Sequence, residues 1–514
     1  MSRRDRPTER LSLYGIGAWV LVAVAGLLAI VSPTDPDVFW HLKNGEVTLA
    51  SGFSVVDAYS FTARGRPWIA HEWLFDIGVA FVTKTLGYRA AVAVAGIVQA
   101  LTTWIFVRLA RTRGASQLLT LALTAVFLVF IAPTWGVRAQ LVTAPLAGAF
   151  YFILLRYRRD PSHPRVLAAL PLLMLAWTNL HASFPLGFAI LGFFLAGGLA
   201  ERFVYRAPAS KLPVQPLLYA LAACTLVTLA NPVGLRLWTY PLPYLFSGTP
   251  DIRVIQEWQS VDFHDPLKLV FAAALWGVGI VGLGRPVTRA ARQRFRLRLR
   301  ARFDLIDVTL LVFATTMGLR YGRLVPLYGM LVLPLLGEVV ARTWPPLSRR
   351  AELVAIDRSV ARPFDYVLAC VVVALFGALL VRAPDAQLGL RPRTDARFPY
   401  PVGAVTFLEG VASLGAPPRV FNEYAWGGYL LYRLYPRATV FIDGRADLYR
   451  DRIFDEYGTI HELAPTYRDA LASSGSDFVL MPPDSLLTTA LGTDAGWRRV
   501  FADKVAVVFQ RAMP

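Results

Sequence analysis

The feature that most constrains this chain is a succession of apolar runs, each close to twenty residues long. They occupy about 11–32, 88–109, 116–134, 138–156, 165–180, 184–201, 212–231, 267–284, 305–321, 323–341 and 364–382. The hydrocarbon core of a bilayer takes about 20 residues of α-helix, and offers no water to an unpaired backbone group. About eleven such runs therefore predict a polytopic α-helical membrane protein. Of the 514 residues, 55% are hydrophobic and only 17% charged, a balance outside the ordinary soluble range.

The formal charge of +18 would ordinarily suggest nucleic acid. Its distribution argues otherwise, because the basic residues follow alternate apolar runs. Arg3, Arg4, Arg6 and Arg10 precede the first run, and Arg108, Arg111 and Arg113 follow the second. Arg156, Arg158 and Arg159 come next, then Arg202, Arg206 and Lys211, the dense cluster 285–303, and Arg342, Arg349 and Arg350. This is the positive-inside pattern, with the N-terminus in the cytoplasm and the C-terminus outside. The 285–303 cluster reads as a topology anchor drawn to anionic headgroups, and no nucleic-acid partner is expected. Cys224 and Cys370 both lie inside apolar runs, so neither a disulfide framework nor a zinc site is expected. The first run is too long for a signal peptide's core and lacks a clean cleavage site, which predicts an uncleaved span.

That orientation puts 33–87, the loop 232–266 and everything from 383 on the outer face. Two domains are expected: a membrane domain over 1–382, which includes the outer loop 33–87, and an extracytoplasmic α/β domain over 383–514. The loop carries Asp35 and Asp37 directly after the first run, then His41, and later His71 and Glu72 with Asp76. Its DVFWHLKNGEVTLASG stretch predicts an interfacial amphipathic helix ended by Gly52, and HEWLFDIGVAFVTKTLG a second surface-lying helix. Other polar residues fall at the outer ends of runs: Asn179 and His181, Asn231, Arg236, Glu257 with Trp258, Asp262 and His264, and Arg320 with Arg323. Ionisable groups at membrane depth are costly, so a set gathered on one face marks a site. Singly, each could instead cap a helix or snorkel to the interface.

From about Asp385 the composition becomes that of a soluble domain. A helix ending at Gly415, a strand RVFNEY, a glycine-opened helix AWGGYLLYRL and a strand ATVFID are expected, closed by a turn at Gly444. A helical stretch to about Ser474 follows, then strand DFVLM, a helix around 484–491 and strands WRRVFA and VAVVFQR. The alternation predicts a mixed sheet covered by helices, with Asn422, Glu423, Asp443, Arg445 and Asp447 at strand ends, where open sheets bind ligands. Plain turn chemistry is the alternative for that set.

Together these residues resemble a known family. The Asp-Pro-Asp at 35–37 after an N-in span, the helix behind it, the His-x-Trp-Leu element (His71, Trp73, Leu74) and Gly87 with Arg89 are similar to GT-C class glycosyltransferases. Protein O-mannosyltransferases and lipid A aminoarabinose transferases share this layout, with His-Pro-Pro-Leu or Lys-Pro-Pro-Leu where this chain has His-Glu-Trp-Leu. Trp426 to Tyr429, Trp-Gly-Gly-Tyr, resembles the Trp-Trp-Asp-Tyr-Gly region of oligosaccharyltransferases without its aspartate.

The resemblance implies transfer of a sugar from a polyprenyl-phosphate carrier to a glycan, lipid or protein acceptor at the outer face of a bacterial inner membrane. It implies Asp37 or Asp35 as the base or as ligand to a divalent metal, magnesium or manganese, with His71 and Glu72 as catalytic partners. Arg320, Arg323 and Arg236 would take the phosphate. His41, Asn179, His181, Glu257, Asn422, Glu423, Asp443 and Arg445 would serve the acceptor side or support the site. A helix cap is the bland role for Asp37, which begins the first loop helix. The rivals are a polysaccharide ligase, a polymerase or a lipid-carrier transporter, and a non-catalytic scaffold whose C-terminal domain binds a partner. A transporter places charges at mid-bilayer in broken helices, whereas here they gather at the outer ends of the runs.

Overall fold

The computed structural model describes residues 11–32, 35–203, 212–241, 256–265, 268–283, 305–343, 355–356, 371–372, 374–379, 381, 400–413 and 415–512. The basic cluster 285–303, the N-terminal arginines, Arg206, Lys211, Arg349, Arg350, Cys370 and the linker after 382 lie outside them. The chain forms two compact units. One comprises 1–32, 92–235 and 255–383, and the other 33–91, 236–254 and 384–514.

The first helices in chain order are α1 (Leu13–Val31), α2 (Val38–Ser51), α3 (Trp73–Leu86), α4 (Tyr88–Thr112), α5 (Gln117–Ile131) and α6 (Thr143–Arg159). They are followed by α7 (Ala169–Leu180), α8 (Pro185–Phe203), α9 (Val214–Val227), α10 (Leu269–Leu283), α11 (Leu305–Arg320) and α12 (Val325–Thr343). Helix α1 and helices α4 to α12 coincide with ten of the apolar runs; the eleventh, 364–382, falls mainly outside the described residues. Tyr88–Thr112, Gln117–Thr134, Ala139–Arg159 and Gly322–Ala341 are long and apolar enough to cross a membrane by length and composition. Shorter apolar helices accompany them. The protein is a polytopic α-helical membrane protein.

Within this first unit α12 is central: Leu327, Tyr328, Met330 to Leu333 and Leu335 are all buried, against α5, α6, α10 and α11. Small residues let backbones meet where lipid offers no hydrophobic drive. A side chain at Gly26 of α1 would fall 3.0 Å from the Gly96 carbonyl of α4. Buried charge is balanced at one end of the bundle. Arg113 pairs with Asp307 at 2.6 Å and Glu338 at 2.7 Å and donates to the Tyr151 hydroxyl, while Arg158 reaches Asp307 at 3.4 Å. Two cations and two carboxylates balance one another's charge there.

The second unit is built on a five-stranded mixed sheet. Its elements are α13 (Val402–Ala412), β1 (Arg419–Asn422), α14 (Gly427–Leu434), β2 (Thr439–Val440), α15 (Ala446–His461), α16 (Tyr467–Ser473), β3 (Phe478–Met481), α17 (Leu486–Leu491), β4 (Trp497–Ala502) and β5 (Val507–Arg511). The strand order is β2-β1-β3-β5-β4. β1 pairs in parallel with β2 and β3, and β5 is antiparallel to both β3 and β4. The ATVFID strand forms a ladder only over Thr439–Val440, and the next amide, Phe441, is shared between the Val420 carbonyl and the Asn422 side chain.

The loop 35–91 is part of this unit. Ser60 bridges Val440 in parallel, Phe61 N donates to the Val440 carbonyl at 3.1 Å, and Thr62 donates to the Phe441 carbonyl, so the loop covers the β2 edge. Trp40, Tyr59 and Trp68 share one core with Phe421, Phe441 and Ile442. The two predicted loop helices form where expected and stop at Gly52 and Gly87, both with positive φ. The expected interfacial exposure of α2 is corrected. Protein covers the first half of its apolar face: Val38 and Phe39 are fully buried, Phe39 lies edge-on to Tyr400 and Tyr429, and α2 packs on α3 and α14, while Leu49 stays exposed.

Candidate functional site

In the second unit, Asp35 and Asp37 sit at the start of α2. Asp35 Oδ1 accepts the Asp37 amide at 2.9 Å. Asp37 occupies the N-cap position, yet its side chain caps no amide of α2, so the bland role expected for it is not realised. Its carboxylate instead lies against the backbone of Gly444, where a Cβ would overlap Asp37 Oδ1. Gly428 admits the loop in the same way, a Cβ there falling 3.0 Å from the Pro36 carbonyl. These glycines supply the physical reason for Trp-Gly-Gly-Tyr and Asp-Gly in the C-terminal sequence.

One turn along α2, His41 and Asn44 project from the same face. His41 Nδ1 lies 2.5 Å from Asp76 Oδ1, Asn44 donates to Asp76 Oδ2 at 2.6 Å, and Tyr59 donates to Asn44 at 2.8 Å. The other ring nitrogen of His41 lies 3.6 Å from Glu72, and His71 Nε2 lies 3.5 Å from the second oxygen of Glu72. His71 turns Nδ1 to the Ile69 carbonyl and stacks on Tyr240 at 3.8 Å. Burial alone would lower the pKa of His41, but Asp76, with Glu72 and Asp37 behind it, outweighs burial and raises it. His71 is raised in the same manner against its burial, chiefly by Glu72 and then by Asp447. The Tyr424 hydroxyl is held well above its ordinary range by burial and by the charges of Asp37, Asp443 and Asp447. Carboxylates of the loop and of the C-terminal segment thus collect around one place.

Asn422, Asp443 and Arg445 are buried and mutually engaged. Arg445 pairs with Asp443 at 2.6 Å and Asp57 at 2.7 Å, Tyr449 donates to Asp443 at 2.6 Å, and the rings of Tyr59 and Trp68 lie 4.9 and 4.7 Å from the guanidinium. Asn422 donates to the Glu423 and Ile442 carbonyls and accepts from Phe441 N. This geometry suits posts that hold the loop and sheet together. Glu423 pairs with His461 at 3.3 Å nearer the surface.

In the first unit, a different group forms where α6 begins and α11 ends. Arg138 grips Glu257 with both carboxylate oxygens, at 3.0 and 3.1 Å. Arg323 stacks on Trp258 at 4.3 Å, and Gln140 donates to the Arg323 carbonyl at 3.2 Å. Burial would raise the pKa of Glu257, but Arg138 and Arg323, with a smaller share from His181, bring it below the usual range. His181 sits with Thr143 and Ser183 at the end of α7. Asn179 ties α7 to the Ala230 carbonyl, and Asn231 closes its own turn. Arg320 is exposed and lies over Tyr321, and Asp262 pairs with His264 on the surface, whereas Arg236, exposed in the turn Gly234–Thr239, belongs to the second unit. Sequence reasoning missed Arg138, whose signal was a lone basic residue in a short turn between two apolar runs. It also missed Asp57 and left Asp76 without a role.

Among the described residues, no group of three or more His, Cys, Asp and Glu is placed to hold a metal ion.

No family model and no curated protein matches the chain. Solved structures do. The archaeal oligosaccharyltransferase AglB from Archaeoglobus fulgidus, in complex with an inhibitory peptide and a dolichol-phosphate, aligns at TM-score 0.55 and 9% identity, covering 96% of this chain and 74% of that one. A second structure of the Archaeoglobus fulgidus oligosaccharyltransferase, tethered to an acceptor peptide, gives 0.52 at 11% identity and the same coverage. The fold is GT-C. ArnT from Cupriavidus metallidurans in the apo state aligns at 0.48 and 17% identity over 96% of this chain and 97% of that one. Identities this low equate no residue of this chain with a residue of the others, so roles rest on its own geometry.

Proposed function

We propose that this protein is a membrane glycosyltransferase of the extracytoplasmic face, moving a sugar from a polyprenyl-phosphate carrier to an acceptor. Asp37 carries the reading. It is an acidic residue directly after the first span, it does not cap its helix, and it is set against Gly444 within a polar cluster. The likeness in fold to an oligosaccharyltransferase holding dolichol-phosphate and an inhibitory peptide supports the donor and acceptor classes.

In the proposed reaction the acceptor gives its proton to the Asp37 carboxylate as its heteroatom attacks the anomeric carbon. The bond from that carbon to the carrier phosphate breaks, and its electron pair leaves on the phosphate oxygen. General-base help of this kind contributes about 10²–10⁴-fold. Asp76 and Asn44 fix His41 beside Glu72, which holds the His71–Glu72 pair in register for the acceptor. Of the three arginines expected to take the phosphate, Arg236 shares the unit of Asp37 and is proposed for it here, since a guanidinium suits a dianion. A magnesium or manganese ion at Asp35 and Asp37 would take its remaining ligands from the substrate. Dialysis against EDTA tests that dependence.

Asp37→Asn should reduce transfer from a synthetic polyprenyl-phosphate sugar by about 10²-fold or more, with an unchanged melting curve in detergent. Retained transfer overturns the assignment of Asp37. It would favour the scaffold reading, in which Asp35 and Asp37 change freely.

A further inference from the structure

Gly444 needs no glycine for its backbone, since its φ lies outside the left-handed region, and the three atoms nearest to a Cβ built there are all side-chain atoms. Two belong to the Asp37 carboxylate, and the third is Trp40 Nε1 at 3.1 Å. The missing side chain therefore makes room first for one carboxylate and one indole N–H. Trp40 is 6% exposed, and its Nε1 is buried without a hydrogen-bond partner among the described residues. A buried donor without a partner costs about 1–3 kcal/mol, so its retention calls for a ligand or a function. A carboxylate only accepts and an indole only donates. An atom that bridges them must donate to one and accept from the other, as a hydroxyl oxygen does.

We propose that Trp40 and Gly444 complete the Asp37 centre as a hydroxyl site: Gly444 seats the carboxylate, and the Trp40 N–H holds the oxygen of an alcohol acceptor. The inference rests on the reading of Asp37 as the base and narrows the acceptor to an alcohol. As the oxygen bonds to the anomeric carbon, its proton passes to Asp37 and the carrier phosphate leaves with the old bond's electron pair. The Trp40 N–H remains donated to the same oxygen throughout.

The glycines give a built-in control. At Gly427 a Cβ would strike backbone, the Ile442 carbonyl and Asp443 Cα at 2.6 Å, so Gly427→Ala should fold poorly. At Gly444 it would strike only side-chain ends, so Gly444→Ala should keep the wild-type melting temperature while displacing Asp37. The test measures transfer from a polyprenyl-phosphate sugar to a short alcohol-bearing acceptor in detergent, with melting curves alongside. Gly444→Ala should lower kcat at least tenfold with donor KM unchanged. Trp40→Phe, which removes only the N–H and part of the ring, should raise acceptor KM at least fivefold and leave donor KM alone. Wild-type kcat in a folded Gly444→Ala, or wild-type acceptor KM in a folded Trp40→Phe, overturns the proposal even where Asp37→Asn is inactive. An active Asp37→Asn instead overturns the underlying reading. If Trp40→Phe melts early, 5-fluorotryptophan incorporation supplies the second measurement: the Trp40 resonance should shift on acceptor binding, and no shift at saturating acceptor overturns the proposal.

Discussion

Arg445 is the largest charged side chain sealed inside the second unit, and it is held by carboxylates from two distant parts of the chain. Asp443 is two residues away, whereas Asp57 lies 388 positions earlier. Removing the guanidinium would strand both acids in the core, which for a buried pair costs about 3–5 kcal/mol. Arg445→Met should therefore lower the melting temperature sharply, and chemical denaturation in detergent would read the loss. A near-wild-type curve would mean that water reaches the two acids. From sequence, Arg445 stood out as a binding candidate because an Asp-Gly-Arg turn after a strand is where ligands bind. Nothing local could reveal that Asp57 would satisfy it, because only the fold brings the two together.

At the scale of elements, α2 and α3 are fixed by a contact that tolerates no side chain. A Cβ on Gly45 would overlap the Asp76 carbonyl and lie 2.6 Å from Ala80 Cβ, so α2 and α3 would have to part. Gly45→Ala should destabilise by about 1–3 kcal/mol, as overpacking does. Gly78 of α3 meets nothing within 4 Å, so Gly78→Ala should be neutral or gain about 0.5–1 kcal/mol. Equal melting shifts in the two variants would refute the packing argument. The last turn of α15 offers a pH-dependent counterpart. Its His461 is raised above the ordinary 6.5 by its hydrogen bond to Glu423, partly opposed by burial. The protonated form is favoured by folding, so this contribution is whole below about pH 6.5 and fades as pH rises through the higher folded value. Melting curves across that window should show a decline that His461→Gln removes. The limits of both loop helices were legible in the sequence because Gly52 and Gly87 end them by backbone geometry. The burial of the first half of α2 was not, because an amphipathic pattern is the same whether lipid or protein covers the apolar face.

Across the whole molecule, the spans and the alternation of strand and helix could be read from hydropathy and periodicity, which depend only on near neighbours. The membership of 33–91 in the same compact unit as 384–514 could not, since no local pattern encodes a pairing across hundreds of residues. That pairing bears on any attempt to study the C-terminal segment alone. Residues 400–512 contain the sheet, but Trp40, Tyr59 and Trp68 of the loop belong to its core, and Ser60 to Thr62 cover its β2 edge. Without the loop, Arg445 loses Asp57 and two aromatic neighbours, and an open strand edge invites association. The isolated 384–514 fragment should therefore be unstable or aggregate, with broad amide resonances and dye-accessible apolar surface. Joining 33–91 to it through a flexible linker should restore dispersed resonances and a cooperative melt. A fragment that melts cooperatively as a monomer by itself would show that the loop is an accessory to this fold rather than part of its core.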